Sequence, residues 1–137
     1  MYPTQLKSSV RVSTRDALVT RLAGFASLVE VGIGKNVAVA TQLAAEGRTV
    51  IATDITPRTV PPEIEFVQDD ITHPTRTVYA DADAIYALNL PPELHRPTSD
   101  VAQSVGAQFL FTTLGGDPPL VPVRRETLPG ETLFIAD

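Results

Sequence analysis

A chain of 137 residues, 20% charged and 43% hydrophobic, has the size and balance of one globular domain. At that length a domain buries roughly two-thirds of its extended-chain surface and needs no disulfide or metal to fold. The chain has no cysteine, which excludes thiolate catalysis, zinc ribbons, iron–sulfur clusters and disulfide scaffolds, and its two histidines, His73 and His95, cannot complete a metal site alone. Sixteen acidic residues against eleven basic ones, a formal charge of −5, argue against a nucleic-acid groove or an anionic membrane surface as the main partner.

The one basic pair, Arg124-Arg125, reads as solvated surface. No apolar run approaches the ~18 residues of a membrane span, and the first residues lack the apolar stretch of a signal peptide, so no membrane contact and a cytoplasmic location are expected.

In chain order, residues 1–12 show no periodicity and are expected to be flexible. Ser13-Thr14 is a candidate cap for a helix carrying Ala17, Leu18, Leu22 and Phe25 at three- and four-residue spacing. Ser27 to Gly32 reads as a strand ending in glycine, Asn36 to Glu46 as a helix, and Gly47 as its terminating glycine. Thr49 to Asp54 gives a second strand, and this strand–helix–strand spacing implies parallel pairing through a right-handed crossover. Thr56 to Pro62 holds three prolines, so a loop replaces the next crossover helix. Ile64 to Val67 and Ala84 to Leu88 supply a third and a fourth strand; His73 to Asp83, between them, leaves room for one helical turn. Pro97 to Val105 reads as a short helix capped by Thr98 or Ser99, and Gln108 to Thr113 as a fifth strand. Residues 118–137 form a weakly patterned tail with strand candidates at Leu120 to Val123 and Thr132 to Ile135. The whole chain, 1–137, reads as a single Rossmann-like α/β domain with a mainly parallel sheet of order 3-2-1-4-5 and reduced helical cover.

The turn Gly32-Ile33-Gly34 stands where the first strand feeds a helix. Glycines there let the backbone approach a ligand, and the helix start offers free N–H groups to its anionic end. A dinucleotide fingerprint needs a third glycine where this chain has Val37. Glu30 is placed to face a ligand ammonium, and Asp54, closing the second strand, to accept hydrogen bonds from a ribose diol. Lys35 adds a cation suited to a carboxylate or a phosphate.

Glu30, Gly32 and Gly34 together resemble the acid-x-Gly-x-Gly loop of class I S-adenosylmethionine-dependent methyltransferases. The resemblance implies that Asp54 is the ribose-binding acid, that Asp70, in Phe66-Val67-Gln68-Asp69-Asp70-Ile71, lies near the adenine, and that S-adenosylmethionine is the cofactor. Asp69 reads as a solvated loop acid. Over residues 14 to 117, the short length, the missing helices and the run from Asp83 to Leu94, above all its closing Pro91-Pro92-Glu93-Leu94, resemble a small archaeal family numbered 0146 in the uncharacterised-protein series. That narrower resemblance implies the fold and supplies no activity.

The loop after the fourth strand faces any transferable methyl group. Amino-methylating enzymes of nucleic-acid bases carry a contiguous Asn-Pro-Pro-aromatic there; this chain inserts Leu90 and has Glu93 at the aromatic position. Methyl transfer needs in-line positioning, and a base only where the nucleophile carries a proton. Asn89 and Glu93 are the catalytic candidates, and His95 is a further candidate base whose plainer reading is an exposed loop imidazole. The first functional reading is a small-molecule-binding protein for an adenosyl ligand and a minimal methyltransferase. The second is a non-catalytic nucleotide-binding or interaction module, and the third an NAD-binding oxidoreductase, against which Val37 and Glu30 speak. Thin helical cover is expected to expose apolar sheet surface, which implies a homodimer.

Overall fold

The computed structural model describes residues 13–136. Residues 13–22 form helix α1, followed by β1 (Ser27–Val31), α2 (Ala38–Ala45), β2 (Thr49–Asp54), β3 (Glu65–Gln68), α3 (Arg76–Tyr79), β4 (Ala84–Ala87), α4 (His95–Val105), β5 (Gln108–Phe111), β6 (Val123–Leu128) and β7 (Glu131–Ala136). One seven-stranded sheet results, in the order β3-β2-β1-β4-β5-β7-β6. The first five strands pair in parallel and in the expected order, whereas β7 is antiparallel to both β5 and β6. Chain direction across the sheet reverses between β1 and β4, the position where open α/β sheets form a ligand crevice at the carboxyl ends of their strands.

The strands near the centre are buried on both faces, which is why β1, β4 and β5 read as short apolar runs without strict alternation. On one face Leu28, Tyr86, Leu110 and Leu133 pack beneath Leu18 and Leu22 of α1 and Val39 and Leu43 of α2. On the other, Val29, Ile85, Phe109 and Phe111 pack beneath Tyr79, Val101 and Ala102 of α3 and α4. Phe111 sits between Phe109 and Phe134, with ring centroids at 4.7 and 5.5 Å, and ties the parallel part of the sheet to its antiparallel extension.

Several boundaries differ from the sequence reading. Residues 1–12 lie outside the described residues. Ser13 and Thr14 are already helical, and the Thr14 hydroxyl donates to the carbonyl of Pro129 (2.6 Å). Helix α2 begins at Ala38, not Asn36, because the Asn36 side chain accepts the Ala38 N–H (3.2 Å). It closes at Gly47 as expected, with Gly47 N–H donating to Ala44 and Arg48 N–H to Leu43. Residues 57–61 form neither helix nor strand, and α3 is a single turn, both as expected. A 3-10 turn, Pro92–Leu94, runs into α4, which starts at His95, so Thr98 and Ser99 are buried inside the helix and do not cap it. The tail is a β-hairpin whose first strand begins at Val123, not Leu120, because Val123–Leu128 pairs along the whole of β7.

The described residues expose three large hydrophobic side chains, Ile55, Leu114 and Leu120, and all three stand in loops. Neither face of the sheet therefore presents the apolar surface expected from its thin cover. None of the described helices is long and apolar enough to cross a membrane.

Candidate functional site

The turn after β1 is shaped by its two glycines, whose φ angles are +69° at Gly32 and +60° at Gly34. An added Cβ would meet open space at Gly32 and nothing nearer than 4.0 Å at Gly34, so backbone handedness alone demands glycine. The turn leans over the end of β2. Ile33 N–H donates to the Thr53 carbonyl (3.0 Å), and Gly34 N–H donates to Asp54 Oδ2 (2.8 Å). Asp54 Oδ1 accepts the Thr56 N–H (2.9 Å). Arg58 Nε lies 3.3 Å from Asp54 Oδ2, an ion pair without hydrogen-bond alignment. Asp54 thus fastens the glycine turn to the neighbouring strand. Of the roughly four acceptor positions of an ionised carboxylate, two are occupied by N–H groups.

Glu30 lies one turn of the pleat below, 2% exposed, and its Oε1 accepts the Tyr86 hydroxyl (2.7 Å). The two residues are direct partners in the β1–β4 register, which brings them together from 56 positions apart. Burial raises the Glu30 carboxyl to about 8, and the Tyr86 hydrogen bond pulls back against that rise. Burial and the neighbouring Glu30 push the Tyr86 phenol well above its ordinary range. At neutral pH the pair is a protonated phenol donating to a largely neutral carboxyl, and a ligand ammonium near Glu30 would favour the ionised carboxylate, its proton passing to solvent.

The two acids after β3 serve local structure. Asp70 accepts both the Thr72 hydroxyl (2.6 Å) and the Thr72 N–H (2.9 Å). The Thr72 hydroxyl bond is the main cause that holds its carboxyl below the usual range, with His73 adding a smaller pull. Asp69, expected to be solvated, instead accepts the Tyr79 hydroxyl (2.6 Å) and the Thr75 N–H (3.1 Å), pinning α3 beneath the sheet edge. Lys35 is exposed and makes no ion pair with the described residues.

Beyond β4, Asn89 holds φ at +55°, the left-handed region that asparagine tolerates better than most side chains. Its N–H donates to Thr112 Oγ1 (2.8 Å), and the Leu90 N–H donates to the Thr112 carbonyl (2.9 Å), so β5 holds the loop in place. Asn89 and Thr112, with Leu88, Leu18, Asn36 and Arg15, line a cleft of about 510 Å³ at the carboxyl edge. Glu93 is exposed on the 3-10 turn and takes no part in that wall.

His95 corrects the sequence reading most sharply: it is fully buried, not exposed on a loop. Its Nδ1 accepts the Leu120 N–H (3.1 Å), which leaves Nε2 to donate to the Leu90 carbonyl (3.0 Å). The ring packs on Phe111 at 4.7 Å. Both nitrogens are occupied, so the imidazole is a fastener between two loops and not a base. The spacing His95, Thr98, Ser99, Ala102 marks one buried helical face, a signal that would have placed it inside. Tyr86, Thr112 and Arg15 were also missed. The first two reveal their partners only through strand register, and Arg15, three residues before Leu18 on the same helical face, is a cation at the rim of an apolar pattern that drew attention to its hydrophobic members. Among the described residues, no group of three or more His, Asp or Glu side chains is placed to hold a metal.

This fold, with its glycine turn at the β1–β4 switch point, is the fold of S-adenosylmethionine-dependent methyltransferases. A TehB-like methyltransferase of that class from Corynebacterium glutamicum superposes with a TM-score of 0.63 at 15% identity, covering 98% of this chain and 94% of that one. Magnesium protoporphyrin IX methyltransferase from Synechocystis, solved with bound S-adenosylmethionine, gives 0.64 at 12% identity over 93% and 78% of the two chains. An RNA methyltransferase from Salinibacter ruber, in complex with S-adenosylhomocysteine, gives 0.59 at 18% over 95% and 90%. The chain itself belongs to the Uncharacterised protein family (UPF0146), which matches residues 14–137. A relative from Halobacterium salinarum is 53% identical over 116 residues, 84% of this chain and 90% of that protein. One from Archaeoglobus fulgidus is 44% identical over 90 residues, 66% and 69% of the two chains.

Proposed function

We propose that this protein binds an adenosyl ligand of the S-adenosylmethionine type along the carboxyl edge of β2, β1 and β4. The observation that carries this reading is the left-handed Gly32–Gly34 turn fastened to Asp54, a carboxylate that keeps acceptor capacity for ribose hydroxyls. The adjoining cleft, about 510 Å³, lies within the roughly 300–1,000 Å³ range of small-molecule sites. The likeness to methyltransferases solved with S-adenosylmethionine or S-adenosylhomocysteine supports the ligand class. When bound, S-adenosylmethionine supplies an electrophilic methyl group on sulfur. The residues of this chain would do the rest: the glycine turn would lie against the amino-acid portion, Asp54 would take the ribose, Asp70 would border the base, and Glu30 would support the turn from below.

Calorimetric titration of the purified chain with S-adenosylmethionine, S-adenosylhomocysteine, NAD and ATP in matched buffers tests it. Binding of the two adenosyl-sulfur compounds in preference to NAD is expected; a protein that binds neither refutes the reading.

A second reading, binding without transfer, is favoured by the state of the two candidate bases. His95 has no free nitrogen, and Glu93 is exposed, with no hydrogen-bond or ion-pair partner among the described residues to orient it. Incubation with labelled S-adenosylmethionine and a cell extract separates the two. Label transfer that falls about a hundredfold in Glu93→Gln, at unchanged ligand affinity, establishes a catalytic role for Glu93 and removes the second reading.

A further inference from the structure

The cleft beside Asn89 adjoins a second, more open depression of about 630 Å³, and the two share Arg15, Asn36 and Ala38. The second depression follows α2 as far as Ala45, about 10 Å beyond Ala38 at 1.5 Å per residue. Among the described residues, neither surface carries an Asp or Glu, in a chain whose net charge is −5. Both of its cations are uncommitted. Arg15 Nε is buried without a hydrogen-bond partner, an arrangement that leaves a desolvated donor unpaid by any acceptor of the chain. Lys35, from the turn before α2, lines the same depression, exposed and without an ion pair.

We propose that Arg15 and Lys35 form a subsite for the phosphate group of a small molecule, distinct from the adenosyl ligand and lying beside it. Two full positive charges from separate elements match a phosphate monoester, which carries about −1.5 to −2 at neutral pH, better than a single carboxylate. The planar guanidinium supplies paired donors and the ammonium a point charge, a combination suited to phosphate oxygens. Two cations on an acidic protein do not suffice for a nucleic-acid polymer, so the partner is a small metabolite. If the protein transfers a methyl group, that phosphorylated molecule is the acceptor; this last step rests on the function proposed above, whereas the subsite does not.

The test is titration of the full chain with inorganic pyrophosphate at fixed ionic strength. Saturable binding is expected, weakened about tenfold or more by Arg15→Gln and by Lys35→Gln and largely kept by Arg15→Lys. Lys35→Gln, at an exposed side chain, decides the matter should Arg15→Gln lower the melting temperature. Absent binding, or binding that neither glutamine variant weakens, overturns the subsite. A second arm adds S-adenosylhomocysteine. If it displaces pyrophosphate and both ligands lose affinity equally in the variants, the cations serve the amino-acid carboxylate of the adenosyl ligand, and a separate phosphate subsite is refuted. Pyrophosphate binding without any S-adenosylhomocysteine binding upholds the subsite and removes the adenosyl reading.

Discussion

Asp54 carries two burdens that a ribose-binding acid need not combine. It accepts N–H groups from Gly34 and Thr56, and it stands beside Arg58. Asp54→Ala therefore leaves two backbone donors without their acceptor, and a loss of about 1–3 kcal/mol in folding stability is expected alongside weaker adenosyl-ligand binding. Urea denaturation and calorimetry on the same variant measure the two effects; unchanged stability would mean that the glycine turn does not depend on this carboxylate. Glu30 sets a pH dependence whose sign follows from its raised pKa. Between its ordinary value of 4.5 and about 8, the folded protein holds a proton that the unfolded chain has released. Stability from this residue is full below about 4.5, declines by at most about 1.4 kcal/mol per pH unit as pH rises, and levels off above about 8. Glu30→Gln keeps an acceptor for Tyr86 and has no proton to lose, so its stability should gain on the parent as pH rises from 5 to 8. Denaturation midpoints for both proteins at those two pH values check this, and parallel profiles would contradict it.

At the scale of elements, the fastenings between loops decide more than the helices do. His95→Ala removes a buried ring and leaves the Leu120 N–H and Leu90 carbonyl without partners, so a destabilisation of about 2–4 kcal/mol is expected by urea denaturation. A cost under about 1 kcal/mol would mean that the two loops hold each other without it. The parallel strands were legible because each is a short, largely apolar run rich in β-branched or aromatic residues, and the strand–helix–strand spacing of β1, α2 and β2 implied their direction. Val123–Leu128 was not legible: it is an edge strand with two arginines and a glutamate, satisfied by Arg21–Glu126 and Arg124–Glu126 pairs and by Arg125 lying 5.4 Å over the Phe134 ring. The Arg21–Glu126 pair spans 105 positions, so the feature that settles this charged strand leaves no local pattern. The glycine turn and Asp54 were readable for the opposite reason, since positive φ and a strand-end acid are local demands. The protonated Glu30–Tyr86 pair needed the register of two strands 56 positions apart.

Across the whole molecule, the hairpin at the end of the sheet is as much core as the parallel strands. Leu133, Phe134 and Ile135 are all buried, and each contributes about 1.5–3 kcal/mol. Their sum rivals the total stability of an ordinary domain, about 5–15 kcal/mol. A chain ending at Pro119 is expected to show no cooperative thermal transition by circular dichroism; a sharp melt would show that β1 to β5 fold alone.

Thr14 and Gly130 face each other across the cleft wall, tied through the Thr14 hydroxyl and the Pro129 carbonyl over 115 positions of sequence. On a ribosome that delivers the chain from its amino end, Thr14 of α1 waits for 115 further positions before Pro129 emerges. A nascent chain that stops short of the hairpin has the glycine turn and Asp54 yet lacks this tie, so one wall of the cleft takes shape only once the hairpin has been made.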